Sequence, residues 1–131
     1  MSPDPAPLSS FNQHLGFEVE DREDGTSLVR LPEGHNLRNE LGVVHGGVAM
    51  ALLDSAMGRT AVRSLEPGAR AATVQFSVQF LAPAEGRLTA SARVARAGRS
   101  IAFMEGECIR DDGVVVARAH GTWAVRRPES A

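Results

Sequence analysis

The stretch from Gly47 to Val62, GVAMALLDSAMGRTAV, decides how this chain is put together. It has no proline and no two-residue alternation, and most positions hold strong helix formers, so it reads as one long helix. Only Asp54, Ser55 and Arg59 interrupt an otherwise apolar circumference. A helix apolar nearly all round has little to offer water and must be enclosed on most sides. The rest of the chain has to supply the enclosure.

Working outward, the period changes after Glu66-Pro67-Gly68. Thr73 to Leu81 alternates, with Val74, Phe76, Val78 and Phe80 on one face and Thr73, Gln75, Ser77 and Gln79 on the other, the pattern of a half-buried strand. Pro83 to Gly86 turns the chain into a strand over Arg87–Arg96. Ala97-Gly98-Arg99 separates it from another over Ser100–Arg110, and the hairpin signal Asp111-Asp112-Gly113 leads to a last strand over Val114–Arg126. Upstream, Phe17–Asp21 and Ser27–Leu31 read as strands around Glu23-Asp24-Gly25. Pro32–Leu41 is a loop, and Leu8–Leu15 is a short helix leading to Gly16. Met1 to Ser10 and Pro128 to Ala131 read as frayed ends.

Apart from the segment between Leu31 and Thr73 that carries the one long helix, consecutive strands are fewer than about ten residues apart, too few for repeated crossover helices, so a parallel nucleotide-binding sheet is disfavoured. The expectation is an α+β fold, a curved antiparallel sheet wrapped around the central helix, in one domain spanning 1–131 with an ordered core of 11–126. Such a sheet has edges to cover, a reason to expect a dimer or a tetramer.

Composition removes several function classes. The formal charge of −2 gives no pull on a polyanion, so nucleic acid is not the expected partner. Every basic residue is an arginine, which excludes Schiff-base chemistry and a phosphate-binding Walker lysine. Cys108 stands alone, so no intrachain disulfide forms, and its strand setting reads as buried filler. The start has no signal-peptide pattern and no apolar run reaches the roughly 18 residues of a membrane span, so the expected location is cytoplasmic, with no membrane partner. His14, His35, His45 and His120 lack metal-ligand spacing, no metal is expected, and there is no G-x-S-x-G elbow.

The chemistry concentrates in Asn39-Glu40-Leu41-Gly42-Val43-Val44-His45-Gly46-Gly47, which runs straight into the helix. Glycines at a loop-to-helix junction allow close approach of a ligand, and the first turn offers N–H groups without helical partners. A developing oxyanion there meets preorganised donors and the positive end of the helix. The plainer reading is a glycine-rich cap. Asp54 lies two turns in, among Leu52, Leu53, Ala56 and Met57, where an unpaired carboxylate is costly. It is either paired with Arg59 or Arg63, or facing water, or a general base or nucleophile facing a site. Gly46 and Asp54 lie about 12 Å apart along a helix. If both serve one carbonyl, the simpler geometry takes Asp54 from a second subunit.

Asn39, Gly42, His45-Gly46-Gly47 and Asp54 together resemble the signature of the hotdog-fold acyl-coenzyme A (CoA) thioesterases of the phenylacetate-degradation type, and the similarity runs from Phe11 to Trp123. The resemblance implies hydrolysis of acyl-CoA thioesters without a cofactor. Asp54 would activate water or attack the thioester carbon, and the Gly46 N–H would polarise the carbonyl. His45 would hold the carbonyl region or the loop, and Asn39 would position the water or the sulfur. Thr73 would hydrogen-bond near the carboxylate, although a β-branched strand residue needs no such role. The resemblance also implies a CoA groove at a subunit interface. Arg96 and Arg99 are candidate contacts for its phosphates, with Gly47 beside the ligand. Ala49, Met50, Ala56, Met57, Gly58, Phe76 and Phe80 are the residues available to an acyl group, either aryl or medium-chain. Hotdog hydratases and dehydratases, which use a histidine with a carboxylate, and a non-catalytic acyl-CoA binder are the alternatives.

Overall fold

The computed structural model describes residues 8–128. Eight elements follow one another: α1 (Ser10–His14), β1 (Glu18–Asp21), β2 (Ser27–Leu31), α2 (Gly46–Arg63), β3 (Arg70–Phe80), β4 (Leu88–Ala97), β5 (Ile101–Arg110) and β6 (Val115–Arg126). The strands make one six-stranded sheet in the order β1-β2-β4-β5-β6-β3, with every neighbouring pair antiparallel. This is the hotdog arrangement expected from the sequence. No helix among the described residues is long and apolar enough to cross a membrane.

Helix α2 packs on β2, β3, β4, β5 and β6. Leu52, Leu53, Ala56 and Met57 keep no exposed surface. Each of the larger three contributes about 1.5–3 kcal/mol by leaving water. They meet Val29, Leu31, Leu88, Ala90, Met104, Cys108 and Ala117, all buried on the inner face of the sheet. Gly106 sets how closely helix and sheet approach, because a Cβ there would stand 3.1 Å from Met57 Cγ and 3.3 Å from Leu53 Cδ2. Cys108 fills this core, and burial pushes its thiol up to about 12, so it is filler and not a nucleophile.

Three sequence expectations need correction. The upstream tail stops short of Ser10: Ser9 caps α1 by accepting a hydrogen bond from the Asn12 N–H, so residues 8–10 are part of the fold. Residues 1–7 and 129–131 lie outside the described part. Strand β3 begins at Arg70, three residues before the alternation becomes visible, because Ala71 and Ala72 carry little strand signal. The alternation itself is broken by a bulge between Thr73 and Gln75. Thr73 pairs with the buried Trp123, while Phe76 pairs with Gly121. The extra residue, Val74, is 62% exposed, and Thr73 turns to the inner face with Phe76 and Val78.

Phe76 needs Gly121 opposite it. A Cβ at Gly121 would lie 2.4 Å from Phe76 Cβ and 2.5 Å from the Gln75 carbonyl oxygen. Backbone would have to move, so Gly121→Ala is expected to cost about 2 kcal/mol or more and lower the midpoint of thermal unfolding by several degrees. A melt indistinguishable from the native one would contradict this packing.

Strand β1 is tied to α2 by charge. Asp21 Oδ1 lies 2.8 Å from Arg59 Nε, Arg59 Nη2 donates to Oδ2 at 2.9 Å, and the Ser27 hydroxyl also donates to Oδ1. The hydrogen bonds from Arg59 hold the Asp21 carboxyl down at about 2, below its ordinary value of 3.8. A depressed carboxylate stabilises the fold fully above its unfolded-state value, and the contribution fades as pH falls through the folded one. Asp21→Asn is therefore expected to lower the melting midpoint at pH 5–7, with the gap from native closing as pH approaches 2.

Candidate active site

Helix α2 starts where its sequence makes a cap. His45 has extended backbone angles, φ −58° and ψ 134°, and its Nδ1 accepts the Gly47 N–H at 2.8 Å. That acceptor role leaves the proton on Nε2. The Val48 N–H donates to the His45 carbonyl. The remaining amide of the first turn, Gly46 N–H, has no partner among the described residues. It is an oriented donor at the positive end of an 18-residue helix.

Gly46 borders a cavity of about 250 Å³ with Asn39, Val43, Val44, Ala49, Phe80, Ala82, Pro83, Ala84 and Val116. The Phe80 ring covers Gly46, and a Cβ at that position would sit 3.3 Å from its edge. Asn39 closes a short turn: its Oδ1 accepts the Leu41 N–H at 2.9 Å, while its backbone N–H donates to Val43. With Oδ1 used, the side-chain amide N–H groups are the part available to a ligand.

Asp54 stands two turns further along α2, half-buried. Thr73 Oγ1 donates to its Oδ1 at 2.7 Å, a contact made possible by the bulge that brings Thr73 inward. No arginine is paired with Asp54 among the described residues: Arg59 holds Asp21, and Arg63 donates to the carbonyls of Thr26 and Arg22. Next to Asp54, the Ser55 hydroxyl accepts from Asn12 Nδ2 at 2.7 Å, which straps α1 over the helix. Nothing in the spacing of Asn12 and Ser55 announces that contact.

The candidates therefore form two groups within one chain. Asn39, His45, Gly46 and Gly47 gather at the start of α2, whereas Asp54 and Thr73 meet about 12 Å along it. Arg96 and Arg99 join neither group. They are exposed at the β4–β5 turn, whose carbonyls at Gly98 and Arg99 are held by Arg127, itself paired with Glu66 beyond the end of α2. A larger hollow of about 730 Å³ lies on the other face of the sheet, between Ser77, Arg93, Glu105, Glu107, Arg118 and His120. Its charges are already paired, Arg93 with Glu105 and Arg118 with Glu107, and it contains none of the candidate residues.

Comparison with known proteins identifies the family. Residues 41–117 match the Thioesterase superfamily. A Halobacterium salinarum protein, provisionally named an esterase, is 42% identical over 97 residues, covering 70% of this chain and 64% of that one. The crystal structure of the BH2602 protein from Bacillus halodurans, solved with CoA, is 34% identical with a TM-score of 0.84, over 93% of this chain and 82% of that one. A phenylacetic acid degradation-related protein from Ralstonia eutropha, provisionally named a thioesterase, is 30% identical with a TM-score of 0.80, over 91% and 92% of the two chains. With its helix enclosed by a six-stranded antiparallel sheet and its matched segment running from the glycine loop to the start of β6, the chain belongs to the thioesterase superfamily of hotdog-fold thioester hydrolases.

Proposed function

We propose that this protein hydrolyses acyl-CoA thioesters at a site shared by two subunits, with Gly46 of one and Asp54 of the other facing the same carbonyl. The observation that carries the reading is the Gly46 N–H at the start of α2, without a partner among the described residues, together with a carboxylate that among them Thr73, and no arginine, holds two turns away.

The second subunit is argued from β3. It is an eleven-residue edge strand with one neighbour, β6, and Val74, Phe80 and Leu81 exposed along it or just beyond it. A long apolar edge invites pairing with another strand. The Asp54 group is anchored to β3 at Thr73, and the Gly46 group sits under Phe80 near the other end of the same strand. Antiparallel pairing of two β3 strands with Phe76 opposite the partner's Val78, and with the bulged Val74 unopposed, sets Thr73 opposite the partner subunit's Phe80. The carboxylate of one chain then approaches the Gly46 amide of the other. Ile101 and Phe103, exposed on the outer face of the sheet, offer apolar surface for joining two dimers into a tetramer.

In the reaction, Asp54 takes a proton from water through the oxygen that Thr73 leaves open, and the water attacks the thioester carbon. Attack by the carboxylate itself is the variant of this step. Negative charge develops on the carbonyl oxygen, where the Gly46 N–H and the helix dipole stabilise it. The tetrahedral intermediate collapses by breaking the C–S bond, the departing CoA thiolate takes the proton that Asp54 received from water, and Asn39 Nδ2 steadies the water or the sulfur. Arg96 and Arg99 remain candidates for the CoA phosphates. The acyl group is aryl, phenylacetyl-like, or medium-chain, suited to apolar surroundings.

A hydratase or dehydratase reading needs a histidine that accepts a proton. His45 Nδ1 is occupied by the Gly47 N–H and Nε2 carries the hydrogen, so hydrolysis is favoured. The test is thiol release from a panel of aryl and aliphatic acyl-CoA esters. Fast release from one class is expected and names the substrate, and no release from any ester would overturn the assignment. Enoyl-CoA consumption without thiol release would establish the hydratase instead.

A further inference from the structure

Trp123 is the only tryptophan in the chain and is 1% exposed. A buried indole N–H ordinarily finds an acceptor. This one donates to none among the described residues, yet none of their buried side-chain nitrogens and oxygens is left without a partner. The unpaired nitrogen therefore lies in the small part of Trp123 that still touches solvent.

Its position follows from its neighbours. Trp123 pairs across the sheet with Thr73, the residue that holds Asp54, and its ring stacks with Phe76 at 6.1 Å between centroids. On α2, Gly58 is one turn beyond Asp54 on the same face. A Cβ at Gly58 would lie 3.3 Å from Trp123 Nε1, and apart from its chain neighbours and the backbone of its own helix no other atom would come within 4 Å. The missing side chain leaves a notch in α2 with an unused donor in its wall. Met50, one turn before Asp54 and 40% exposed, continues the same stripe.

We propose that the acyl group runs along this stripe past Asp54 into the Gly58 notch, where Trp123 Nε1–H donates a hydrogen bond to an oxygen carried by the acyl group. Trp123 is then a specificity-determining residue, and the preferred esters bear an acceptor oxygen about 6 Å beyond the reacting carbon, the rise of one helical turn. The apolar wall, with Phe76 behind the indole, accepts the remaining carbon skeleton. An ester lacking the oxygen leaves the donor unpaired and is disfavoured.

The inference rests on the thioesterase reading for its chemistry, and two readouts keep the two apart. The first is thiol release from matched pairs, octanoyl- against 5-oxooctanoyl-CoA and phenylacetyl- against 4-methoxyphenylacetyl-CoA, by native protein and Trp123→Phe. Trp123→Phe is expected to lose about two- to tenfold more kcat/KM on the oxygen-bearing member of a pair than on the other. The second is the fluorescence of Trp123 in the Asp54→Asn protein titrated with the same esters, where the oxygen-bearing member is expected to shift the emission and the other to leave it near its free position. Hydrolysis by native protein with the same ester preference in Trp123→Phe would overturn the inference and leave the thioesterase standing. No hydrolysis, but an emission shift selective for the oxygen-bearing esters, would overturn the thioesterase and keep the binding site. Loss of both signals would overturn both.

Discussion

Asp54→Asn is expected to lower thiol release by at least about 10²-fold while the protein stays folded, the scale on which loss of a positioned general base is felt. The carboxamide has the same shape, and its oxygen can still accept the Thr73 hydroxyl, so the 2.7 Å contact that orients the side chain survives. What is lost is the capacity to take a proton from water. The change should fall on kcat, because the carboxylate acts on the transition state and not on the CoA moiety. Thiol release measured beside circular dichroism and a thermal melt checks both halves. An unchanged rate in a folded variant would remove Asp54 from the mechanism.

Gly46→Pro is expected to abolish the oxyanion donor with a loss of about 10²–10³-fold in kcat. Proline is chosen because Gly46 is the first helical residue, where a missing N–H breaks no helical bond, and because its neighbour His45, at ψ 134°, already has the conformation that precedes proline. The ring meets Phe80, which has to turn aside to admit it. The variant also tests the shared site directly. Mixed by refolding or coexpression, Gly46→Pro and Asp54→Asn chains form hybrid dimers in which one site has both native groups, so about a quarter of native activity should return. Absence of recovery in a mixture proven to contain hybrids would mean that Gly46 and Asp54 do not act across an interface.

How much of this was legible in the sequence varies by residue. The enclosed helix was plain, because a run such as GVAMALLDSAMGRTAV has no face for water whatever surrounds it, and the strands after it were marked by period and by turn residues. His45, Gly46 and Gly47 were marked as the junction that runs into the helix, with a glycine-rich cap as the plainer reading, whereas the cap made by His45 Nδ1 is seen in the structure. Thr73 illustrates the opposite case. Strict alternation puts it on the face of Gln75, away from the helix, and only the bulge at Val74 turns it to Asp54. A bulge depends on how two strands accommodate each other, here on a partner strand carrying Gly121 and Trp123, and one strand's sequence does not declare it.

By itself, then, the sequence determined the local terms: the period of most elements, the apolar circumference of α2, the glycine-rich start of that helix, and the kinds of chemical group within reach of it. Those properties depend on neighbours along the chain and survive in any tertiary setting. Only the tertiary structure decided which groups meet. It paired Asp21 with Arg59 and left Asp54 to Thr73, strapped Asn12 to Ser55, laid Phe80 over Gly46, and turned the Trp123 N–H toward a residue with no side chain. Each of these joins residues distant in sequence through the packing of a curved sheet on one helix, where a one-residue shift in a strand changes the face that every later side chain presents.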